Sequence, residues 1–319
     1  MKDYCELVSE CYAYNPEQYK EPDFDAFWQE SQKLRREIPL NLEIIPESKD
    51  EKFENYHIYY DGCDKTRVHA LMVKPVTDEK LSLFLNYHGF GWNGGKFDDF
   101  YKFCQEGFFA ISIDVRGQKG ETKDERNYSS LENEHIMTRG GADERDYYFR
   151  WVILDSLRAI DAGCSMDFWD GKIVAVNGAS QGGALSLSMA ALDDRVNYCL
   201  CDVPSNCDLR ERVNKRAGSY GLFKNLIEEG KISEERVFKT LSYLDVMNMA
   251  EKITAHVLAG VGLRDDCCPP IQFFAAYNKI KAPKTVDFYY EGGHGDVYQY
   301  RYDLKINLLR QAKQKLNEK

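Results

Sequence analysis

The stretch "VNGASQGGALSLSMAAL", residues 176–192, decides the fold class predicted for this chain. It places Ser180 between two glycines, after an apolar run and before a run with helical character. A strand that turns sharply into a helix with a serine at the turn is typical of a nucleophile elbow, which exposes the hydroxyl above the sheet. The alternative is a tight strand–helix turn with an incidental serine, because short motifs also match by chance.

The rest of the chain repeats this rhythm of a compact apolar run followed by a helical pattern. The apolar runs cover residues 81–87, 108–114, 172–177, 196–203, 256–262 and 285–290. Candidate helices between them cover residues 146–163, 182–192 and 270–279. Runs that are apolar on both faces are typical of strands in a parallel sheet with helices on each side. The pattern therefore predicts an α/β fold with a mostly parallel, doubly wound sheet.

Three other segments frame this sheet. Residues 1–40 are predicted to be an N-terminal helical extension, since "DFDAFWQESQKLRREI" carries apolar residues at near-helical spacing. Residues 42–75 contain three short β-type segments, expected to form antiparallel strands ahead of the main sheet. Residues 204–255 are a charged, helix-rich insertion after the strand that ends near residue 203, where lids lie in such folds. We therefore expect a single domain over residues 1–319.

Composition and charge argue against several classes of partner. The 319 residues carry a net charge of −10, which disfavours nucleic acid and anionic membrane surfaces. The first residues, "MKDYCELVSECYAYNPE", lack the apolar region of a secretory signal, and no apolar stretch is long enough to span a membrane. The ten cysteines include no CxxC pair, so reduced and mostly buried thiols are expected rather than a zinc finger. We predict a cytoplasmic protein.

A serine nucleophile needs a base, and the chain has only six histidines. His294, in "YYEGGHGDVY", lies in a glycine-rich loop after the last predicted strand. It also completes the order serine, aspartate, histidine along the chain. The others fit less well, because they lie in the early β region, at the start of a strand or ahead of the serine: His57, His69, His256, His88 and His135. His294 is therefore the predicted base.

The acid and the oxyanion donors are expected at the ends of two other strands. Asp265 and Asp266 follow the strand 256–262, where one carboxylate would orient the imidazole and the other would cap the next loop. The glycine-rich loop "NYHGFGWNGG" after the strand 81–87 lets backbone N–H groups approach a ligand. We assign the oxyanion donors as the backbone N–H groups of Phe90 and Gln181. This chemistry needs no metal and no organic cofactor.

Five stretches together resemble one known family. They are "YHGF" at residues 87–90, "RGQ" at 116–118, "GASQG" at 178–182, "GLRDDCCPP" at 262–270 and "FAAYN" at 274–278. With them the chain resembles, nearly from end to end, the acetyl xylan esterase and cephalosporin C deacetylase family of carbohydrate esterases. The resemblance implies an α/β-hydrolase fold, with Ser180 as nucleophile, His294 as base and Asp265 rather than Asp266 as the acid.

The same resemblance implies a substrate and an assembly. Members of the family remove acetyl groups from small acetylated carbohydrates such as xylo-oligosaccharides, or from related esters such as cephalosporin C. They typically assemble as ring-like hexamers whose active sites face an internal cavity. A homo-oligomer of this kind is therefore expected for this chain.

Two positions depart from the family pattern. Gly295 follows His294 where the family has glutamate, which puts the local packing or the oligomer contacts in doubt. Phe90 stands where the family has a tyrosine, so any contact from that hydroxyl is lost while the backbone donor survives. Arg116 of the "RGQ" stretch is expected to form a structural ion pair rather than to act in catalysis.

Other functions stay open at this point. Another α/β-hydrolase chemistry, of the dienelactone hydrolase or peptidase type, would use the same constellation. A hydrolase-like protein that only binds its ligand is also compatible with the missing glutamate. Trp92 and Tyr298 would suit a sugar platform, although aromatic residues in loops more often serve packing.

Overall fold

A nine-stranded sheet forms the centre of the computed structural model, which describes residues 3–297 and 301–317. The strands are β1 Glu43–Lys49, β2 Phe53–Asp61, β3 Arg67–Pro75, β4 Leu81–Tyr87, β5 Phe108–Ile113, β6 Trp169–Ala179, β7 Tyr198–Asp202, β8 His256–Gly262 and β9 Lys284–Tyr289. Across the sheet their order is β1-β2-β3-β5-β4-β6-β7-β8-β9. The first three strands are antiparallel to their neighbours, and the other six are parallel to one another.

The predicted apolar runs coincide with the six parallel strands. β4 and β8 have the predicted bounds, and the other four differ by one to three residues at an end. The largest difference is at β6, which begins at Trp169 rather than residue 172, because Trp169 pairs with Leu81 beyond an irregularity in the register. The α/β fold with a mostly parallel sheet and the preceding antiparallel strands is confirmed.

Helices cover the sheet and follow its edges. The α-helices are α1 Tyr4–Ala13, α2 Phe24–Glu37, α3 Tyr101–Gln105, α4 Tyr148–Cys164, α5 Gln181–Leu192, α6 Leu209–Asn214, α7 Gly221–Glu228, α8 Glu234–Ser242, α9 Val246–Met249, α10 Pro270–Tyr277 and α11 Tyr302–Asn317. Short 3₁₀ helices cover Phe97–Phe100, Ile136–Thr138, Gly218–Tyr220 and Ala250–Lys252. Within residues 3–297 and 301–317, no helix has the length and apolar character that crossing a lipid bilayer requires.

Side chains of the central strands are buried on both faces of the sheet. In β4, Leu83 and Leu85 belong to the larger apolar core, which also contains residues of α4 and α5. Phe84 points the other way, into a second core with Phe103 of α3 and Leu309 of α11. The two cores explain why the strand sequence is apolar at successive positions rather than at alternate ones.

The N-terminal helices pack against the insertion between β7 and β8. The indole N–H of Trp28 in α2 donates to the carbonyl oxygen of Tyr243 at 3.0 Å, and the ring centroid of Phe27 lies 4.4 Å from that of Tyr243. The Tyr19 hydroxyl donates to Asp245 Oδ2 at 2.7 Å. The insertion, which contains α6 to α9, is thereby anchored from outside while its inner side reaches the carboxyl edge of the sheet.

Candidate active site

Ser180 lies in the turn between β6 and α5, with φ 57° and ψ −117°. A positive φ is strained for any residue but glycine and persists where the surrounding structure imposes it. The flanking glycines are required by space. A Cβ atom at Gly178 would lie 2.4 Å from the carbonyl carbon of Gly182, and one at Gly182 would lie 1.8 Å from the carbonyl oxygen of Tyr87. This geometry is that of a nucleophile elbow, not of a tight turn with an incidental serine.

Three residues from distant parts of the chain meet at this turn. The Nε2 atom of His294 lies 3.0 Å from Ser180 Oγ, and its Nδ1 atom lies 2.7 Å from Asp265 Oδ2. Because a carboxylate only accepts hydrogen bonds, Nδ1 carries the proton of the neutral ring and the Nε2 lone pair faces the serine hydroxyl. The structure therefore brings together the predicted nucleophile, base and acid.

The choice between the two neighbouring aspartates is decided by burial. The Asp265 side chain is fully buried, and its second oxygen accepts the backbone N–H groups of Cys267 at 2.9 Å and Cys268 at 2.8 Å. Asp266 is exposed to solvent. Only Asp265 reaches the imidazole of His294, as the family resemblance implied.

The loop that carries His294 is fastened to the end of β8. The N–H of Arg264 donates to the carbonyl oxygen of Gly292 at 3.0 Å, and a Cβ atom at Gly262 would lie 2.3 Å from that same oxygen. Among the residues that the structure describes, none has an atom within 4 Å of a Cβ atom placed at Gly295. The described residues around His294 therefore do not require a glycine at position 295, and relative to the glutamate that the resemblance implies the chain lacks an acidic group there.

A vicinal pair of thiols lies against the imidazole, and the sequence reasoning gave it no role. The hydrogen bond that His294 donates to Asp265 raises the pKa of His294 above its usual value, and a contact with the Cys268 sulfur adds to the effect while burial opposes it. The hydrogen bond with Cys268 lowers the pKa of Cys267 to about 7, against the effect of burial. All ten cysteines are free and most are buried, as predicted.

The loop after β4 brings Phe90 to the cavity that is also lined by Ser180 and Gln181, so both predicted oxyanion donors line the same cavity as the predicted nucleophile. His88 fixes the start of this loop. Its Nε2 atom accepts the N–H of Val115 at 3.0 Å, so Nδ1 carries the proton and donates to the carbonyl oxygen of Gly89 at 2.8 Å. Burial lowers the pKa of His88, which keeps the ring neutral in this structural role.

Gln118 is a residue of the site that the sequence reasoning left without a function. Its amide nitrogen donates to Gln181 Oε1 at 2.9 Å, and its own oxygen accepts the N–H of Gly91 at 2.7 Å. One side chain thus ties the residue after Phe90 to the side chain of Gln181. The sequence signal for this role is the "RGQ" stretch, in which Gln118 is the third residue.

Arg116, two residues before, forms the predicted ion pair. The guanidinium is fully buried and contacts Asp155 at 2.6 Å and Asp64 at 2.7 Å. Its backbone carbonyl oxygen accepts the hydroxyl of Tyr148 at 2.7 Å, and the same hydroxyl accepts an N–H of Gln118 at 3.0 Å. The buried ion pairs of Arg116 and its contact with Tyr148 therefore hold the segment that carries Gln118, which confirms a structural role for Arg116.

The cavity above Ser180 has a volume of about 1020 Å³. Its walls combine apolar side chains such as Phe149 with polar ones from the insertion, Arg212 and Tyr220 among them. Trp92 lines the opening and is 66% exposed, with the Lys119 ammonium 5.1 Å from the centre of its ring. Tyr298, the other aromatic considered for a sugar platform, lies outside the described residues.

A serine on a strained strand–helix turn, in line with an imidazole and a buried carboxylate, defines the class of α/β-hydrolases with a Ser-His-Asp constellation. Comparison with known proteins specifies the family. The family model described as acetyl xylan esterase (AXE1) matches residues 3–312. The acetyl esterase Axe7A of Xylanibacter ruminicola is 31% identical over 311 residues, which cover 95% of this chain and 69% of that protein.

Two solved structures agree with this match. The acetyl xylan esterase from Paenibacillus sp. R4 has 35% identity and a TM-score of 0.91, covering 95% of this chain and 99% of that one. Acetyl xylan esterase 1 from Thermoanaerobacterium sp. JW/SL YS485 has 29% identity and a TM-score of 0.89, covering 95% and 98%. The chain belongs to the acetyl xylan esterase family. It is a carboxylic ester hydrolase with the α/β-hydrolase fold, and it removes acetyl groups.

Proposed function

We propose that Ser180, His294 and Asp265 carry out this hydrolysis and that the natural substrates are acetylated carbohydrates such as xylo-oligosaccharides. The observation that carries the assignment is the continuous chain of contacts from Asp265 Oδ2 through the imidazole to Ser180 Oγ, at 2.7 and 3.0 Å. A binding protein without catalysis would not need this alignment, since a serine is a weak nucleophile until a base accepts its proton.

The geometry supports a two-step mechanism. Ser180 Oγ attacks the ester carbonyl carbon while His294 Nε2 takes the hydroxyl proton, and Asp265 stabilises the imidazolium that forms. The backbone N–H groups of Phe90 and Gln181 stabilise the negative charge on the carbonyl oxygen. His294 then gives its proton to the leaving sugar hydroxyl, and a water molecule repeats the sequence on the acetyl-enzyme to release acetate.

The cavity supports a substrate larger than a simple acetate ester. Its volume of about 1020 Å³ lies at the upper end of small-molecule pockets, roughly 300–1,000 Å³. Polar side chains such as Asn206 and Arg212 line it beside apolar ones, as a hydroxylated ligand requires. Relatives named acetyl xylan esterases make xylan fragments the first choice. Cephalosporin C carries the same type of acetyl ester and is the second.

The test is an acyl-length series of p-nitrophenyl esters run beside acetylated xylo-oligosaccharides. We expect acetyl to be preferred over butyryl and longer chains. Ser180→Ala should lower kcat by about a millionfold, because a serine–histidine unit fails as a whole when either member is lost. The matched control is Ser188→Ala, in the helix α5 that follows Ser180. The Ser188 hydroxyl donates to the carbonyl oxygen of Ala184, and its loss should leave kcat within about tenfold.

Two results would overturn the proposal. Equal rates for the wild type and Ser180→Ala would leave the protein without the proposed nucleophile. A preference for butyryl or longer chains would refute acetyl specificity. The ring-like hexamer and the cytoplasmic location stay predictions, to be tested by size-exclusion chromatography with light scattering and by cell fractionation.

A further inference from the structure

A second histidine cluster lies outside the esterase centre, on the antiparallel part of the sheet. His57 on β2 and His69 on β3 lie on the same face, because His69 pairs with Tyr59 and Tyr59 lies two residues beyond His57. The Nδ1 atom of His57 is 2.8 Å from the Nε2 atom of His69. A carboxylate oxygen of Glu121, from the loop after β5, lies within 4.8 Å of both rings' ligand atoms.

These side chains are held in place by their neighbours. The buried Asp114 accepts the Nδ1–H of His69 at 2.6 Å and the backbone N–H of Glu121 at 2.9 Å through the same oxygen. The Tyr59 hydroxyl donates to Glu121 Oε2 at 2.9 Å. A histidine that donates its other N–H to a carboxylate is the usual arrangement of a metal-bound imidazole, since the carboxylate fixes the ring and raises its basicity.

The tautomers available to the two rings allow one nitrogen lone pair of each ring to bind a cation. Because Asp114 accepts the Nδ1–H of His69, the lone pair of neutral His69 is at Nε2 and faces His57 Nδ1. In the absence of metal, His57 Nδ1–H donates to that lone pair. If this proton moves to His57 Nε2, which lies 3.8 Å from a carboxylate oxygen of Glu47, the lone pairs of His57 Nδ1 and His69 Nε2 both become available to one ion. The site loses no proton in this change of tautomer.

We propose that His57, His69 and Glu121 bind a divalent transition-metal ion of the zinc type. Two imidazoles and one carboxylate with an open position are a known zinc ligand set. With Zn–N distances of about 2.0–2.1 Å, tetrahedral ligand nitrogens lie roughly 3.3 Å apart, so the rings need to separate by only about 0.5 Å. The site opens into its own cavity of about 410 Å³, and His57 and Glu121 are accessible from solvent.

The surroundings suit a dication and connect the site to the esterase loop. Asp114 and Glu121 are balanced by Lys96 and Lys119, which also line this cavity, so a cation is not repelled by excess positive charge. The second oxygen of Asp114 accepts the N–H of Gly94 at 2.6 Å, in the loop that carries Phe90. A bound ion is therefore expected to stabilise this loop against thermal unfolding.

One other described group could compete for the ion. Ligand atoms of Cys267, Cys268 and His294 also lie within 4.8 Å of one another. Both nitrogens of His294 are engaged, however, with Asp265 and Ser180, so an ion there would have to break the catalytic contacts. The hydrogen bond between His57 and His69 plays no part in the proposed catalysis, so an ion there leaves the contacts of His294 intact, and this pair is the favoured site.

The experiment measures metal binding by the full-length protein after removal of metals with a chelator. Isothermal titration with Zn²⁺ should give one ion per chain in the background of Cys267→Ser, which removes the competing thiolate. In that background His57→Gln and Glu121→Gln should weaken binding at least about tenfold. His256→Gln, at the start of β8, is the matched control and should leave the affinity unchanged.

Co²⁺ provides a second readout that locates the ion. Nitrogen and oxygen ligands give d–d bands in the visible region, which His57→Gln should abolish, whereas thiolate ligands add a charge-transfer band in the near ultraviolet. The proposal is overturned if the wild type binds no stoichiometric Zn²⁺. It is equally overturned if binding survives both His57→Gln and Glu121→Gln, or if Cys267→Ser alone removes it.

Discussion

Two histidine–aspartate pairs of this molecule have the same local geometry and different surroundings. In each, Nδ1 of the imidazole donates to a buried aspartate, at 2.7 Å for His294 and Asp265 and at 2.6 Å for His69 and Asp114. In each, the aspartate follows the carboxyl end of a parallel strand, β8 in the first pair and β5 in the second. The carboxylate fixes the tautomer and directs a lone pair from Nε2.

The group that faces Nε2 separates the two pairs. Ser180 Oγ faces His294 at 3.0 Å, whereas the second imidazole, His57, faces His69 at 2.8 Å. A hydroxyl in that position can be deprotonated and becomes a nucleophile, while a second ring nitrogen makes a pair of metal ligands. The comparison shows that a histidine–aspartate pair does not define catalysis by itself. Its third partner does.

The largest effect expected from this comparison is on turnover. Asp265→Asn should lower kcat with p-nitrophenyl acetate by about ten-thousandfold, because the amide no longer favours the Nδ1–H tautomer or the imidazolium. Asp114→Asn should lower it by no more than about tenfold. The main effect of Asp114→Asn should be on the free energy of unfolding, which should fall by about 1–3 kcal/mol because buried N–H groups that donate to Asp114 lose an acceptor. Steady-state kinetics and urea unfolding measure the two effects.

Similar losses of kcat in the two variants would break the distinction between the pairs. The stability measurement guards against a trivial explanation, because a variant that is folded at the assay temperature must owe its kinetic defect to the site. Burial opposes ionisation of Asp114, yet the hydrogen bonds from His69, Glu121 and Gly94 hold its pKa below the usual value. Asp114 is therefore charged at neutral pH, as its proposed role requires.

A smaller effect concerns the loop between the pairs. Gln118 holds this loop at Gly91 and Asp114 holds it at Gly94, on the same side of Phe90 in sequence. Gln118→Met keeps the volume and removes the side-chain hydrogen bonds with Gly91, Gln181 and Tyr148. We expect kcat to fall by about tenfold to a hundredfold with little change in KM. A displaced N–H of Phe90 would stabilise the oxyanion of the transition state less well, whereas binding of the uncharged substrate would change little.

The control for this prediction is Gln32→Met. Gln32 in α2 donates to the carbonyl of Leu192, at 2.6 Å, and is not part of the loop. A rise in KM at constant kcat in Gln118→Met would show that the side chain contributes to binding rather than to donor placement. A decrease no larger than that of Gln32→Met would remove Gln118 from the site.

The strand pattern and the catalytic order were accessible from the sequence. A strand buried on both faces must be apolar at successive positions, so β4 and β8 could be delimited to the residue. Ser180 was identifiable because its flanking glycines have a steric cause in the turn itself. His294 was the predicted base because of the order of the residues along the chain and its glycine-rich loop after the last predicted strand.

Features that depend on tertiary contacts were not accessible in the same way. Asp265 and Asp266 have the same chemistry, so the residues alone left the choice open. The family resemblance implied Asp265, and the structure buries Asp265 while Asp266 is exposed. The sequence reasoning set His57 and His69 aside because they precede the main sheet, and their meeting depends on the register of β2 and β3. Gln118 belongs to the recognisable "RGQ" stretch, but its partners Gly91 and Gln181 are 27 and 63 residues away along the chain, so its role depends on the fold.

The smallest expected effect is a displaced pH profile, and it concerns only the first pair. In the proposed mechanism the neutral form of His294 is the base, so kcat/KM should rise with pH and the midpoint of this rise should report the pKa of His294 in the free enzyme. The hydrogen bond that His294 donates to Asp265, with a further contribution from Cys268, raises that pKa, so the midpoint should lie above the usual 6.5. Cys268→Ala should lower the midpoint but keep it above 6.5, because Asp265 remains.

Folding stability should respond to pH with the opposite sign. Because the pKa of His294 is higher in the folded than in the unfolded chain, protonation of His294 stabilises the folded state. This contribution to the free energy of unfolding is complete below about pH 6.5 and is lost as the pH rises through the pKa of His294 in the folded protein. The pH range in which activity appears is thus the range in which the pair stops stabilising the fold. Asp114→Asn should not move the kinetic midpoint. A midpoint at or below 6.5, or one that moves in Asp114→Asn as it does in Cys268→Ala, would contradict the separation of the two pairs.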